Sequence, residues 1–215
     1  MARKKLVQSP NHPYHITARS NNGAYLGLEP ETLWNIYNDY LHFLSTAFEV
    51  KIHAFVMMSN HFHLIASFPK LNISLAMNRF MTESARAINF ERMTINHIYG
   101  SRYFACLIDN ERYYRNVFRY LFQNPVRAGI CTYVEDYSFS TLSGLLGQTR
   151  LSIPIHHFSS PFVPEFSDLE SHLSFLNQPI NLRTLEATRF ALRRTHFKYS
   201  VKYREWAKAH GETDA

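Results

Sequence analysis

Cysteine is nearly absent from this chain: Cys106 and Cys131 are the only two in 215 residues. Two thiols without CxxC spacing make neither a disulfide framework nor a cysteine metal site, and they suit a reducing cytoplasm. Glycine is scarce too, with seven residues, none of them in a Walker-type phosphate loop. No apolar run approaches the roughly 20 residues of a membrane span. The basic start Met1-Ala2-Arg3-Lys4-Lys5 leads to Ser9-Pro10 with no apolar h-region behind it, so neither a secretory signal nor a membrane partner is expected. Charged residues make up 19% and hydrophobic residues 46%, the balance of a globular rather than a disordered protein.

What is present is positive charge and aromatic surface. The net charge is +6 and aromatics reach 15%. A basic balance favours polyanions such as nucleic acid or an anionic membrane surface. Many of the rings serve the core, but stacking on bases would call for the same composition. The length allows one domain with a full core, or one domain with a short appendage.

Along the chain, residues 1–12 read as a loose basic arm. Tyr14–Arg19 alternates like a strand, and Asn21-Asn22-Gly23 marks a turn. Pro30 opens a helix running to about Phe48, with Leu33, Ile36, Tyr37, Tyr40, Leu41 and Leu44 at helical spacing. Strands are predicted over Ile52–Met58 and His61–Phe68, joined at Ser59-Asn60 as an antiparallel hairpin. A helix follows over 74–92, then a strand over Tyr103–Ile108, then a helix capped by Asp109 or Asn110 and stopped near Asn124 by Pro125. The order β-α-β-β-α-β-α predicts an α+β fold, an antiparallel sheet with packed helices. Three segments are expected: a main domain over 1–148, a Pro- and Ser-rich linker-like stretch over 149–180, and a basic helical tail over 181–215.

Two constellations carry chemistry. In His61-Phe62-His63 the two imidazoles share one strand face, which makes half of a divalent metal site; the plainer reading is a pair of partly exposed strand histidines. Tyr120 and Asn124 lie one helical turn apart on one face. A phenol there can be a nucleophile and the amide oxygen a metal ligand; the plainer reading is a core aromatic and a C-terminal cap. Tyr113 shares the stripe and Tyr114 adjoins it, so spacing leaves both as rival nucleophiles.

Met58-Ser59-Asn60-His61-Phe62-His63-Leu64-Ile65, followed by Tyr120 and Asn124-Pro125-Val126-Arg127-Ala128-Gly129, resembles the single-tyrosine transposases of the HUH endonuclease superfamily. These are the IS200/IS605-type enzymes and the REP-associated tyrosine transposases. Tyr14–Asn22 resembles their opening strand and turn, and Tyr137-Ser138-Phe139-Ser140 their closing motif. Ser59 stands where the family usually has Pro, Ser20 where it has Gly, and Phe139 where Trp is commoner. The C-terminal extension resembles the REP-associated group.

The resemblance implies a ferredoxin-like HUH fold and a divalent metal, Mg²⁺ or Mn²⁺, held by His61, His63 and Asn124. It implies Tyr120 as the nucleophile that cuts and rejoins single-stranded DNA, at hairpin-flanked sites. Charge adds candidate DNA contacts at Arg19, Arg79, Arg86, Arg127, Arg193, Arg194 and Lys198. The competing readings are a non-catalytic nucleic-acid-binding protein that keeps the fold, and a hydrolase in which water attacks. Monomer and homodimer both stay open.

Overall fold

The computed structural model describes residues 6–158 and 163–211. The first five residues of the expected arm, Ser159, Ser160 and Pro161 of the Pro/Ser-rich stretch, and the last four residues of the tail lie outside them.

The sheet has four strands: β1 (Tyr14–Arg19), β2 (Lys51–Met57), β3 (His61–Ser67) and β4 (Phe104–Leu107), in the order β2-β3-β1-β4. Every neighbouring pair is antiparallel. Helices α1 (Pro30–Ala47) and α2 (Ile73–Glu91) follow β1 and β3 respectively. The α+β expectation holds, and most predicted boundaries fall within a residue or two. The turn after β1 is built as its sequence suggests, since Asn22 and Gly23 both take the left-handed conformation that these residues tolerate best.

Side-chain alternation sends the sheet into two cores. Ile16, Phe62, Leu64, Ala66, Phe55 and Met57 meet the apolar stripes of α1 and α2. Ala54, Val56, Ile65 and Cys106 point the other way, toward α3 (Glu111–Phe122). Asn110 caps α3, its side chain accepting from the backbone N–H groups of Arg112 and Tyr113. Pro125 does more than stop this helix. After a break at Gln123, Asn124–Arg127 forms one further turn, α4, with Pro125 near its start, where the missing N–H costs nothing. Gly129 ends that turn in the left-handed region.

The stretch 149–180 departs from its linker-like reading. The Trp34 indole donates to Arg150 O at 2.9 Å, and Asn38 Oδ1 accepts from Ser152 N at 3.0 Å. Leu151, Ile153 and Ile155 alternate inward against the first core, and Ile155 bridges to Ile52 on β2. Pro154 lies within this packed strap, and farther along the chain comes α6 (Leu169–Asn177).

The basic tail forms α7 (Leu182–Ala191) and α8 (Val201–Ala209). They pack with α3 and α6 through Leu185, Ala191, Phe197, Tyr199 and Tyr203. Both sheet edges are thereby covered, β4 by Thr195–Phe197 through Leu107, and β2 by Phe139, Ser140 and Ile155. Ser140 also caps the short α5 (Thr141–Leu145).

Phe197 is fully buried with its ring 5.1 Å from both Tyr113 and Tyr199. Phe197→Ala should therefore cost about 3–5 kcal/mol in urea unfolding; an independent tail would leave the transition of the rest unchanged. A second prediction concerns pH. His53 donates from Nδ1 to His156 O, and its Nε2 lies 2.8 Å from the Ser67 hydroxyl, which can donate to the neutral ring. Burial pulls its pKa to about 4, while the His156 carbonyl opposes the shift. Protonation therefore favours the unfolded chain. The contribution is complete above the unfolded value of about 6.5 and is lost as pH falls toward 4, at up to about 1.4 kcal/mol per pH unit. Thermal midpoints should drop through that window, and less steeply in His53→Gln.

Candidate active site

β1 and β3 meet in a register that sets Thr17 opposite His63 and Arg19 opposite His61. His15, Thr17 and Arg19 therefore share a sheet face with His61 and His63. That face looks toward α3, and Tyr120 is the helix residue that meets it: its ring centroid lies 6.0 Å from that of His63 and 6.4 Å from that of His15, edge-on to both. His61 and His63 are adjacent, with centroids 5.0 Å apart.

The rival tyrosines are placed elsewhere. Tyr114 is 2% exposed, packed at a tilt against Phe118 and Phe158, and burial pushes its phenol well above the usual range. Tyr113 packs on Phe197 and Tyr199. Of the three tyrosines on this stretch of α3, Tyr120 is the one whose ring lies against His63 and His15.

Burial keeps the imidazoles neutral. It is the leading cause at all three, pulling His15 to about 3, with His61 adding repulsion, and His61 to about 4, with Arg19 adding. His63 is lowered well below its ordinary value by burial, then by His15 and His61. Neutral imidazole is the form that ligates metals. At His61 the tautomer is determined. Asn60 Nδ2 donates to Gly23 O, so Asn60 Oδ1 is the acceptor for His61 Nδ1–H at 2.6 Å, and Nε2 keeps its lone pair. His63 Nδ1 is bonded to His15 Nε2 at 2.9 Å, which likewise leaves Nε2 as its outward nitrogen.

Asn124 has a double involvement. Its Nδ2 donates to Tyr120 O and Leu121 O at 3.0 and 3.1 Å, the capping role, while its Oδ1 accepts from Arg127 Nη2 at 3.0 Å. An amide oxygen has two lone pairs, so one remains for a cation. Among the described residues no group of three His, Cys, Asp or Glu side chains could hold a metal. The two imidazoles and the Asn124 oxygen are a mixed nitrogen–oxygen donor set, the chemistry that suits Mn²⁺ or Mg²⁺.

Arg127 binds this corner together. Nη2 also donates to Tyr120 O at 2.9 Å, and the guanidinium sits 4.4 Å over the Tyr120 ring. Its Nε and Nη1 are buried without hydrogen-bond partners among the described residues. Burial lowers its pKa to about 10, with Tyr120 opposing and Arg189 on α7 adding repulsion, so it stays charged near neutrality.

The chain from Ser9 to Asn124 matches the family described as "Transposase IS200 like". The chain belongs to this family. As an IS200-like transposase it is an enzyme of the class that acts on DNA. A solved structure, "Structure of the REP associates tyrosine transposase bound to a REP hairpin", shares the fold at a TM-score of 0.57 and 19% identity, covering 74% of this chain and 100% of that one. Comparison with curated proteins gave no match.

The candidate DNA contacts of this transposase divide between layers. Arg19 is exposed at the end of β1 beside His61, and Arg127 lies on Tyr120. Arg193 and Lys198 are exposed just after α7, where the Arg194 guanidinium sits 4.9 Å over Phe190. Arg79 and Arg86 are different: both pair with Glu83 on α2, on the far side of the sheet from Tyr120. Three neighbours of the site went unnoticed in the sequence: His15, Asn60 and Arg189. Alternation along β1 marks His15 as sharing a face with Arg19, but only the register brings it to His63.

The corner's double use of Asn124 carries a prediction. Asn124→Ala removes the cap on two carbonyls and the acceptor for Arg127, and should lower stability by about 1–3 kcal/mol. An unchanged urea midpoint would show that these bonds contribute nothing to the turn.

Proposed function

We propose that this transposase cuts and rejoins single-stranded DNA, with Tyr120 as nucleophile and with His61, His63 and Asn124 holding a divalent metal, Mg²⁺ or Mn²⁺. The observation that carries the reading is the placement of the Tyr120 ring against His63, in contrast to Tyr113 and Tyr114. The Tyr120 oxygen attacks phosphorus, the bond to the 3′ oxygen breaks, and the phenol proton is lost as the departing oxygen gains one. The products are a 5′-phosphotyrosyl enzyme and a free 3′-OH. One phosphodiester replaces another, so a 3′-OH can reverse the step without an outside energy source. The metal would polarise the scissile phosphate and offset its developing charge.

The chain's own residues prepare this step. Asn60 keeps the His61 lone pair available. Arg127 holds the Tyr120 carbonyl and Asn124 in one turn and sets positive charge beside the phenol ring. Tyr120 is largely buried, which suits an unpaired, kinkable strand better than a rigid duplex. Arg19, Arg127, Arg193, Arg194 and Lys198 would contact the backbone of the strand near the cut. Arg79 and Arg86 could meet only DNA that extends around the opposite layer. The hairpin named for the structural neighbour suggests hairpin-flanked sites for this chain too.

Labelled single-stranded hairpin DNAs, incubated with protein and Mn²⁺ or Mg²⁺ and run on a denaturing gel, test the reading. Wild type should give a metal-dependent covalent adduct, lost by roughly a thousandfold or more in Tyr120→Phe and retained in Tyr114→Phe. An adduct that survives in Tyr120→Phe would move the nucleophile to Tyr113. Binding without an adduct across a broad set of DNAs would favour a non-catalytic binder or attack by water.

A further inference from the structure

The geometry points to His15 as the residue that positions His63 for metal, by accepting a hydrogen bond from His63 Nδ1–H. This inference rests on the metal-dependent reading above.

His15 is a buried imidazole for which nothing yet described has a use. It lies on β1 at the level of Ile65, one step inward of the Thr17–His63 pair. Its Nε2 is 2.9 Å from His63 Nδ1, the rings are tilted by 31°, and both side chains are enclosed. Because Nε2 is spent on His63, His15 is a poor direct ligand. It occupies instead the place of an outer partner, the group that bonds the second nitrogen of a ligating histidine and so selects its tautomer.

A neutral imidazole carries one proton, so this bond has two possible directions. With His15 donating, His63 must carry its proton on Nε2, and that nitrogen has no lone pair for a metal. With His63 donating, Nε2 is free to ligate, and His15 carries its proton on Nδ1. His15 Nδ1 is buried and has no hydrogen-bond partner among the described residues. An orphaned buried N–H is less readily tolerated than an unused lone pair. The metal-free pair therefore prefers the direction in which His15 donates, and metal binding reverses the bond. No net proton is released, since each ring moves its proton from Nε2 to Nδ1. The Asn60–His61 bond has no such freedom, because the Asn60 amide is oriented by Gly23 O. Of the two imidazole ligands, His63 is thus the one whose readiness depends on a partner that can itself switch.

Two measurements on the full chain test this. The first is Mn²⁺ binding by calorimetry for wild type, His15→Phe and His15→Gln. His15→Phe, which has no acceptor, should bind roughly 10–100-fold more weakly; His15→Gln, whose amide oxygen can accept, should recover most of that loss. The second needs no variant: ¹⁵N NMR of the imidazole nitrogens, with Zn²⁺ as a diamagnetic probe. His63 should carry its proton on Nδ1 when the metal is bound. Equal affinity in wild type and a folded His15→Phe, or a metal-bound His63 without a proton on Nδ1, overturns the assignment of His15. Wild type that binds metal but forms no adduct with DNA overturns the strand-cutting reading alone, and wild type that binds no metal overturns both.

Discussion

The alignment of β1 with β3 is the constraint on which everything else depends. With Thr17 opposite His63, the imidazoles of His15, His61 and His63 all face α3, while Ile16, Phe62 and Leu64 face α1 and α2. Side chains alternate with a period of two, so a slip of one residue would drive three polar rings into an apolar core and bring Phe62 under Tyr120. Burying unpaired polar groups costs far more than any single hydrophobic contact returns. The two cores on either side of the sheet thus enforce the register, and the register assembles the site.

Sandwiching the sheet on both faces has a chemical consequence. The imidazoles are neutral because burial penalises their charged forms, and the two on β3 each find a partner for Nδ1. His61 finds Asn60 and His63 finds His15. The enclosure that stabilises the fold also leaves Nε2 as the outward nitrogen of both rings, with its lone pair free at His61 and set by the direction of the His15 bond at His63. Opposite them, a charged guanidinium is held at a helix break by Tyr120 O and Asn124. Neutral donors and a fixed cation on either side of a phenol form an arrangement suited to an anionic phosphodiester.

The C-terminal third takes part in this enclosure. α6, α7 and α8 complete the core around α3, and Gln123 Nε2 donates to Leu176 O and Gln178 O just beyond the helix that carries Tyr120. The position of α3 over the sheet therefore depends on residues that read, in sequence, as a linker and a charged tail. Positive charge on α7 also reaches the site, since Arg189 acts on Arg127.

Local pattern by itself determined the elements: the period of two over Tyr14–Arg19 and His61–Phe68, the helical stripe from Leu33 to Leu44, a cap at Asp109 or Asn110 and the Asn22-Gly23 turn. These are short-range matters of backbone geometry and hydrogen bonding. The order of motifs from His61 to Gly129 was enough to suggest the family. What only the tertiary structure supplied was the different surroundings of groups alike in sequence. Tyr113, Tyr114 and Tyr120 have similar local credentials on α3, and packing sent the first two against Phe197 and Phe158. Asn124 could have been a cap or a ligand, and the fold makes it a cap with a lone pair to spare. His15 gained a role only through a strand 48 residues away, because spacing along a chain defines which side chains share a face but not which face they meet.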